Sequence, residues 1–459
     1  MKGAPAALVA AVAVLAVRST AAQGLESKPT EAPPDRFELS AHAETYATFF
    51  RRALLPGPEG ALVETEFAAP VYEYLHLSAR NLDVAGQQDN VDLEVSGWAR
   101  AWPTETRFEG PFDGDLQTAA VTYHRGPGTA RLGRQQFVGG AARFARFDGL
   151  SLGARLGAGL SARAYGGLTV LPRYNERPGY YHLGSEADSL LRDPEAFEQP
   201  RRGHWLAGAR LNYGSPRLSA SASFHEQREQ GELGHRNLGL DARGVLSPRA
   251  SAAASAVLDA DALRLSDSRL WLDLELLQPL SLSLEYLHTE PALWLSRQSV
   301  LSVFSTDRFD EAGGMATLRL SPKLRLEGSG FVSLYDDHRP GARSEGTLRV
   351  TPDALTVVRV SYVRVLAPSN GYHSLRSSLS RRLLAELSAT LEAYAYLYDQ
   401  PVRGFRASSV YAGTLSYEPK SRFSALWGAS LSRTPYAALD AQTLLRLSYA
   451  FDHLPGGRK

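Results

Sequence analysis

Eight arginines fall between residues 120 and 175: Arg125, Arg131, Arg134, Arg143, Arg146, Arg155, Arg163 and Arg173. Asp148 is the one acid among them. Fixed cations gathered on one stretch do not make or break bonds. They attract anions and decide which solutes dwell beside a surface. That stretch is +7 in a chain whose total is +1, which leaves a remainder of about −6 by difference. Groups suited to covalent chemistry are sparser. His225, His235 and His288 have Glu226, Glu229 and Glu290 nearby, but no nucleophile motif accompanies them and any polar rim collects such neighbours. No phosphate-cradling glycine loop or calcium loop is present. Cysteine is absent, which removes disulfides and thiolate chemistry. The expectation is therefore no catalytic residue, no metal and no cofactor, with function resting on shape and charge.

The elements that would hold those arginines show themselves by alternation. Leu270, Leu272, Leu274 and Leu276 interleave with Arg269, Trp271, Asp273 and Glu275. Leu282, Leu284 and Tyr286 alternate with Ser281, Ser283 and Glu285, and Leu387 to Leu397 repeats the pattern against Ser388, Thr390, Glu392, Tyr394 and Tyr396. A period of two means strands with one apolar and one polar face. The hydrophobic fraction is 44%, too low for a bundle of membrane helices. So many two-faced strands predict an all-β fold: a single closed antiparallel transmembrane β-barrel with lipid outside and water inside.

Proline-bearing turns punctuate the second half at Gly214-Ser215-Pro216-Arg217, Leu246-Ser247-Pro248-Arg249, Leu277-Gln278-Pro279, Leu320-Ser321-Pro322-Lys323, Thr351-Pro352-Asp353 and Glu418-Pro419-Lys420. Proline cannot donate to a ladder, so each marks a strand boundary. Reading hairpins between them predicts 18–22 strands, with 22 the direct count, short periplasmic turns and longer extracellular loops. Residues 1–22 read as a signal peptide, with Lys2 ahead of an apolar run and Ser19-Thr20-Ala21-Ala22 at the cut. Residues 23–36 read as a flexible periplasmic lead-in, 37–451 as the outer-membrane barrel and 452–459 as a short tail. The last strand, with Thr443, Leu445, Leu447, Tyr449 and Phe451 on one face, resembles the strand that barrel-assembly machinery recognises.

The longest connection, 171–203, is either a loop folded into the lumen as a constriction or a solvated external loop. A charged side chain facing lipid at mid-depth costs about 2–4 kcal/mol, so the arginines are expected to point inward. They then either form a positive arc that favours anions or pair with acids to brace the wall. Tyr180, Tyr181, Tyr394, Tyr396 and Tyr398 could stack on sugar rings, although aromatic girdles at the membrane interfaces explain them more simply.

Leu132-Gly133-Arg134-Gln135, followed by Gly139-Gly140, Arg143 and Phe147-Asp148-Gly149, resembles the Gly-Arg-Gln … Phe-Asp-Gly pattern of alginate-export-type outer-membrane porins. The resemblance covers about 40 residues closely. It implies wall and pore roles for Arg134, Gln135, Arg143 and Asp148. A structural reading stays open beside it, in which glycine lets strands bend and arginine braces Asp148. The arginine-rich, lysine-poor style also looks like barrels that accompany exopolysaccharide secretion in myxobacteria. Together these imply an outer-membrane conduit of a Gram-negative bacterium that exports an anionic exopolysaccharide. Its partners would be outer-membrane lipid, the polysaccharide, periplasmic or inner-membrane export machinery and barrel-assembly machinery, without nucleic acid. The alternatives are an uptake porin for small anionic solutes and a closed structural or adhesive barrel.

Overall fold

The computed structural model describes residues 37–56, 62–83, 89–102, 112–170, 203–290, 293, 308–336, 339–367, 370–402, 404–419, 422–435 and 439–453. The proposed signal peptide, the lead-in and most of the 171–203 connection lie outside them, as do Arg173, Tyr180 and Tyr181.

A single antiparallel sheet takes in every strand, from Glu38–Pro56 to Asp440–His453. The first strand pairs with the last, from Leu39 opposite His453 to Phe49 opposite Thr443, so the sheet closes on itself. On its other side the first strand meets two collinear stretches. Val71–Asp83 pairs with its lower part and Leu62–Ala68 with its upper part. These two count as one crossing, interrupted at Ala69-Pro70, and the wall is a closed 22-strand antiparallel barrel. Closure matters because an open edge would leave a row of unpaired amides and carbonyls.

A short inward turn tells the two faces of the wall apart. Gly140–Ala142 joins the strands Gly128–Val138 and Phe144–Gly157 as a single 3-10 turn. It bonds to Ser223, Asn237 and, through Arg143, Ser266, on strands several places round the wall. Such a reach crosses only the inside. Residues alternating with those partners, such as Phe224, Leu238 and Leu240, therefore point outward. The outer face is leucine-rich, with Leu270, Leu276, Leu284, Leu391 and Leu397 all exposed. Its inner counterpart carries Ser, Thr, Asp, Glu and Arg.

Most tight turns gather at one end, Arg125 to Gly128, Gly157 to Leu160, Ser247 to Ala250, Leu277 to Leu280 and Ser321 to Leu324, while Glu229 to Glu232 and Val402 to Phe405 are equally short at the other. Pro352 sits where register slips between Val350 and Asp353, the place a residue without an N–H fits. The opposite end has the long connections, such as Thr169 to Trp205 and Thr289 to Phe309. Several strands run further toward that end than alternation suggests. Glu232–Ser247, for example, begins five residues before the expected 237, because its ladder with Leu218–Glu229 continues through polar residues to Glu229 opposite Glu232.

The two-faced wall yields a direct test. Leu284→Arg places a charge on the outer face and should destabilise the folded barrel in lipid vesicles by about 2–4 kcal/mol in a urea titration. Ser283→Arg, one residue away on the polar face, should cost far less.

Candidate functional site

The basic stretch supplies four neighbouring strands of the wall, and alternation decides what each arginine faces. Arg131, Arg155 and Arg163 stand on the inner face, opposite in phase to the outward Leu132, Leu152, Leu156 and Leu168. Arg131 pairs with Glu94 at 2.7 Å. The Arg155 guanidinium donates to the Gly126 carbonyl at 3.2 Å, near the tight-turn end. Arg163 lies over the Phe137 ring, 5.9 Å from its centroid, and is directly opposite Arg210 in the next strand, Trp205–Gly214. Arg210 donates to Asp241 at 3.2 Å and to Ser221 at 2.8 Å. Among the described residues Arg163 has no acid within ion-pair distance. Like charges directly opposed across strands repel, so this pair favours an anion between them.

Arg134, Arg146 and Asp148 do not line a lumen, which corrects the expectation for them. Arg134 and Asp148 start from the same face as the outward Leu132 and Leu150 and face each other across the ladder. Their side chains form a two-pronged pair, Nε to Oδ1 and Nη2 to Oδ2, both 2.8 Å. Arg146 is buried and binds Asp115 at 2.5 Å. The reason is a gap in the backbone ladder. Phe112–Arg125 and Gly128–Val138 pair only from Arg125 opposite Gly128 up to Ala119 opposite Arg134. Above that point each stays bonded to its other neighbour only. A register shift at Gln117 turns Asp115 to the inside. Side chains then take over from the backbone across the seam. Arg134 Nη1 donates to the Leu116 carbonyl at 3.2 Å and Gln136 Nε2 to the Gln117 carbonyl at 3.3 Å. Unsatisfied wall carbonyls would be costly, and these bonds remove that cost. Arg125 follows Tyr123 at the turn on the face of Val121 and Tyr123, so it too leaves the inner set.

Gln135 is buried on the inner face. Its amide donates to the Gly149 and Arg131 carbonyls and its oxygen accepts from Ser151. Gly149 faces Gly167 so closely that a Cβ on either would strike the opposite backbone, which is why Phe147-Asp148-Gly149 ends in glycine.

The inward turn was invisible as such in sequence. Gly139 and Gly140 take φ values of 98° and 58°, which glycine tolerates, and Arg143 takes 52°. Ala141 N–H donates to Ser223 Oγ at 2.8 Å and Asn237 Nδ2 donates to the Ala141 carbonyl at 3.2 Å. Arg143 Nη2 donates to Ser266 Oγ at 2.7 Å. Burial lowers the Arg143 guanidinium to about 10, opposed by Asp267 and Asp259, so it stays a cation at neutral pH. Beneath the turn Phe137, Ala142, Ala145, Phe147, Tyr165 and Leu206 form an apolar cluster inside the barrel. Tyr394, Tyr396 and Tyr398 also lie on the inner face, in antiphase to the exposed Ala395 and Leu397, and so form no outer girdle.

His225 and His288 are committed to the wall. His225 bonds the Tyr165 hydroxyl at 3.1 Å, and His288 bonds Asp310 at 2.8 Å and the Leu265 carbonyl. Glu226 is held by Arg228 and Arg236, and Glu290 by Arg264.

No protein-family model matches the chain, and comparison with curated proteins finds no match. Among solved structures it is similar to OccAB4 of Acinetobacter baumannii, at TM-score 0.45 and 9% identity, covering 92% of this chain and 100% of that one. It is also similar to Pseudomonas aeruginosa OccK1 (OpdK), at TM-score 0.44 and 12% identity over 90% of this chain and 99% of that one. A third is P. aeruginosa OccK2 (OpdF) in complex with glucuronate, at 0.44 and 10% over 92% and 100%. Likeness at this level assigns no function.

Arg143→Gln removes the bond to Ser266 and the charge that Asp259 and Asp267 oppose. In planar bilayers the expected result is a larger and noisier single-channel conductance, as the turn leaves its seat. Asp148→Asn, which acts on the seam, should lower the urea midpoint of the barrel without that change in conductance.

Proposed function

We propose that the chain forms a passive, water-filled pore in the outer membrane of a Gram-negative bacterium, through which small anionic solutes diffuse down their gradients. The observation that carries this reading is the sorting of the wall, leucine-rich outside and charged inside on one closed ladder. An apolar belt of that kind is stable against hydrocarbon, and an even strand number is usual for bacterial outer-membrane barrels. The polar inner face then surrounds water, and 22 strands enclose a wide lumen. Arg163 and Arg210 supply a local excess of positive charge on its wall. The pinned Gly139–Arg143 turn takes up part of the cross-section, which favours small solutes over polymers.

Export of an anionic polysaccharide is the second reading. It is favoured by Tyr394, Tyr396 and Tyr398, whose inward rings could stack on sugars, with Tyr372 set edge-on to Tyr396 at 5.8 Å. The Gly-Arg-Gln … Phe-Asp-Gly resemblance adds less, because Arg134 and Asp148 serve the seam.

Reversal potentials in a salt gradient test the primary reading. The intact protein should prefer anions, and Arg163→Gln with Arg210→Gln should move the ratio toward non-selective. A barrel without conductance sinks the pore. An unchanged preference in the double variant removes these arginines from selection. Conductance blocked by long polyuronates but not by short ones would support the export reading instead.

A further inference from the structure

A second basic feature lies outside the 120–175 stretch and becomes visible only once the strands are in register. Arg319 is opposite Arg325, Arg325 is opposite Arg349, and Arg349 is opposite Arg359. Four successive strands, Phe309–Ser321, Leu324–Tyr335, Pro340–Asp353 and Thr356–Leu366, thus place one arginine each on a single line around the wall. All four project inward, since Leu320, Leu326, Leu348 and Val360 alternate with them and are exposed on the outside. The line lies near the tight turns, two residues before Ser321 and one after Leu324, at the mouth where the first and last strands meet.

Adjacent strands are about 4.8 Å apart, so the row spans about 14 Å. Directly opposed like charges are unfavourable in a sheet, and here three such pairs follow one another. One acid answers them: Glu327 Oε1 lies 2.7 Å from Arg325 Nε. Arg319, Arg349 and Arg359 have no acid within ion-pair distance among the described residues. The patch carries four positive charges against one negative. Guanidinium forks favour carboxylate and phosphate oxygens, and several on one line favour an anion with several charged groups over one with a single group.

We infer that Arg319, Arg325, Arg349 and Arg359 form a binding site for small multivalent anions at the tight-turn mouth of the barrel, a polycarboxylate or an oligophosphate whose charged groups bridge neighbouring guanidinium groups. The site deepens the anion-pore reading and rests on it for the route by which the anion arrives or leaves. Binding itself needs only the folded wall.

The experiment is titration calorimetry on the full chain folded in detergent, at constant ionic strength. The probes are tripolyphosphate and tricarballylate, with orthophosphate and acetate as lower-charge counterparts. The two multivalent probes separate phosphate from carboxylate as the preferred group, and whichever binds more tightly names it. The expected result is that at least one binds measurably and more tightly than its lower-charge counterpart. Arg349→Gln with Arg359→Gln should then weaken that binding by about tenfold or more. Equal binding of multivalent and lower-charge probes to the unaltered protein overturns the site without any variant. So does multivalent binding that survives in the double variant, whose folding is checked by its heat-modifiable migration on gels. In bilayers, the same multivalent anion added on the tight-turn side should reduce current more than when added opposite. Loss of binding in the variant together with an intact protein that conducts nothing would keep the site and reject the pore. Conductance with no multivalent binding would do the reverse.

Discussion

Every amide and carbonyl in this wall must find its partner within the wall, because its leucine-rich outer face offers none. The closed register from Leu39–His453 round to Thr443 meets that demand almost everywhere with backbone ladders. Among the described residues the longest gap is the stretch above Ala119 and Arg134, where two neighbouring strands part. There the demand is met by Arg134, Gln136 and Arg146 reaching to the Leu116 and Gln117 carbonyls and to Asp115. The motif that looked most like a functional signature thus answers first to the needs of the sheet. An arginine facing outward is tolerable because Asp148 neutralises it at 2.8 Å and a carbonyl takes a further N–H.

Inside, the same economy of partners separates bracing charges from available ones. Arg131 and Arg210 have acids at hand. Arg163 is set against an aromatic ring and a second arginine. The Gly139–Arg143 turn adds an internal core, with Phe137 and Tyr165 stacked at 4.5 Å under it. A wall of this kind has a rigid sector, where turn, aromatic cluster and His225 interlock, and plainer sectors elsewhere.

Much of this was legible in the residues. Alternation in Leu270–Leu276 and Leu387–Leu397 identified strands and faces because burial on one flank imposes a period of two. Proline turns gave the hairpin repeat in the second half, and strands read one by one along the chain gave 22 crossings within a range of 18–22. Leu62–Ala68 was missed because it is short and acidic, and it is held only by pairing with the extended first strand. The outward placement of Arg134 and Asp148 follows from their phase with Leu132 and Leu150, but the seam they brace is not legible locally, because it arises where two strands part above Ala119 and Arg134. For the tyrosines at 394, 396 and 398, residue type favours a girdle over sugar stacking, although their phase against Leu391 and Leu397 already places them inside. Arg319, Arg325, Arg349 and Arg359 share no local pattern. Only pairing across three hairpin interfaces brings them together, and pairing partners are not written in any one segment.

The even number of crossings has a topological corollary. Glu38 and His453 emerge side by side from one rim, the rim bearing the tight turns, and neither can be carried to the far rim without undoing a whole crossing. Anything fused to an end of the folded wall therefore starts from that rim. A reporter meant for the opposite rim has to be spliced into a hairpin there, such as the one between Glu229 and Glu232.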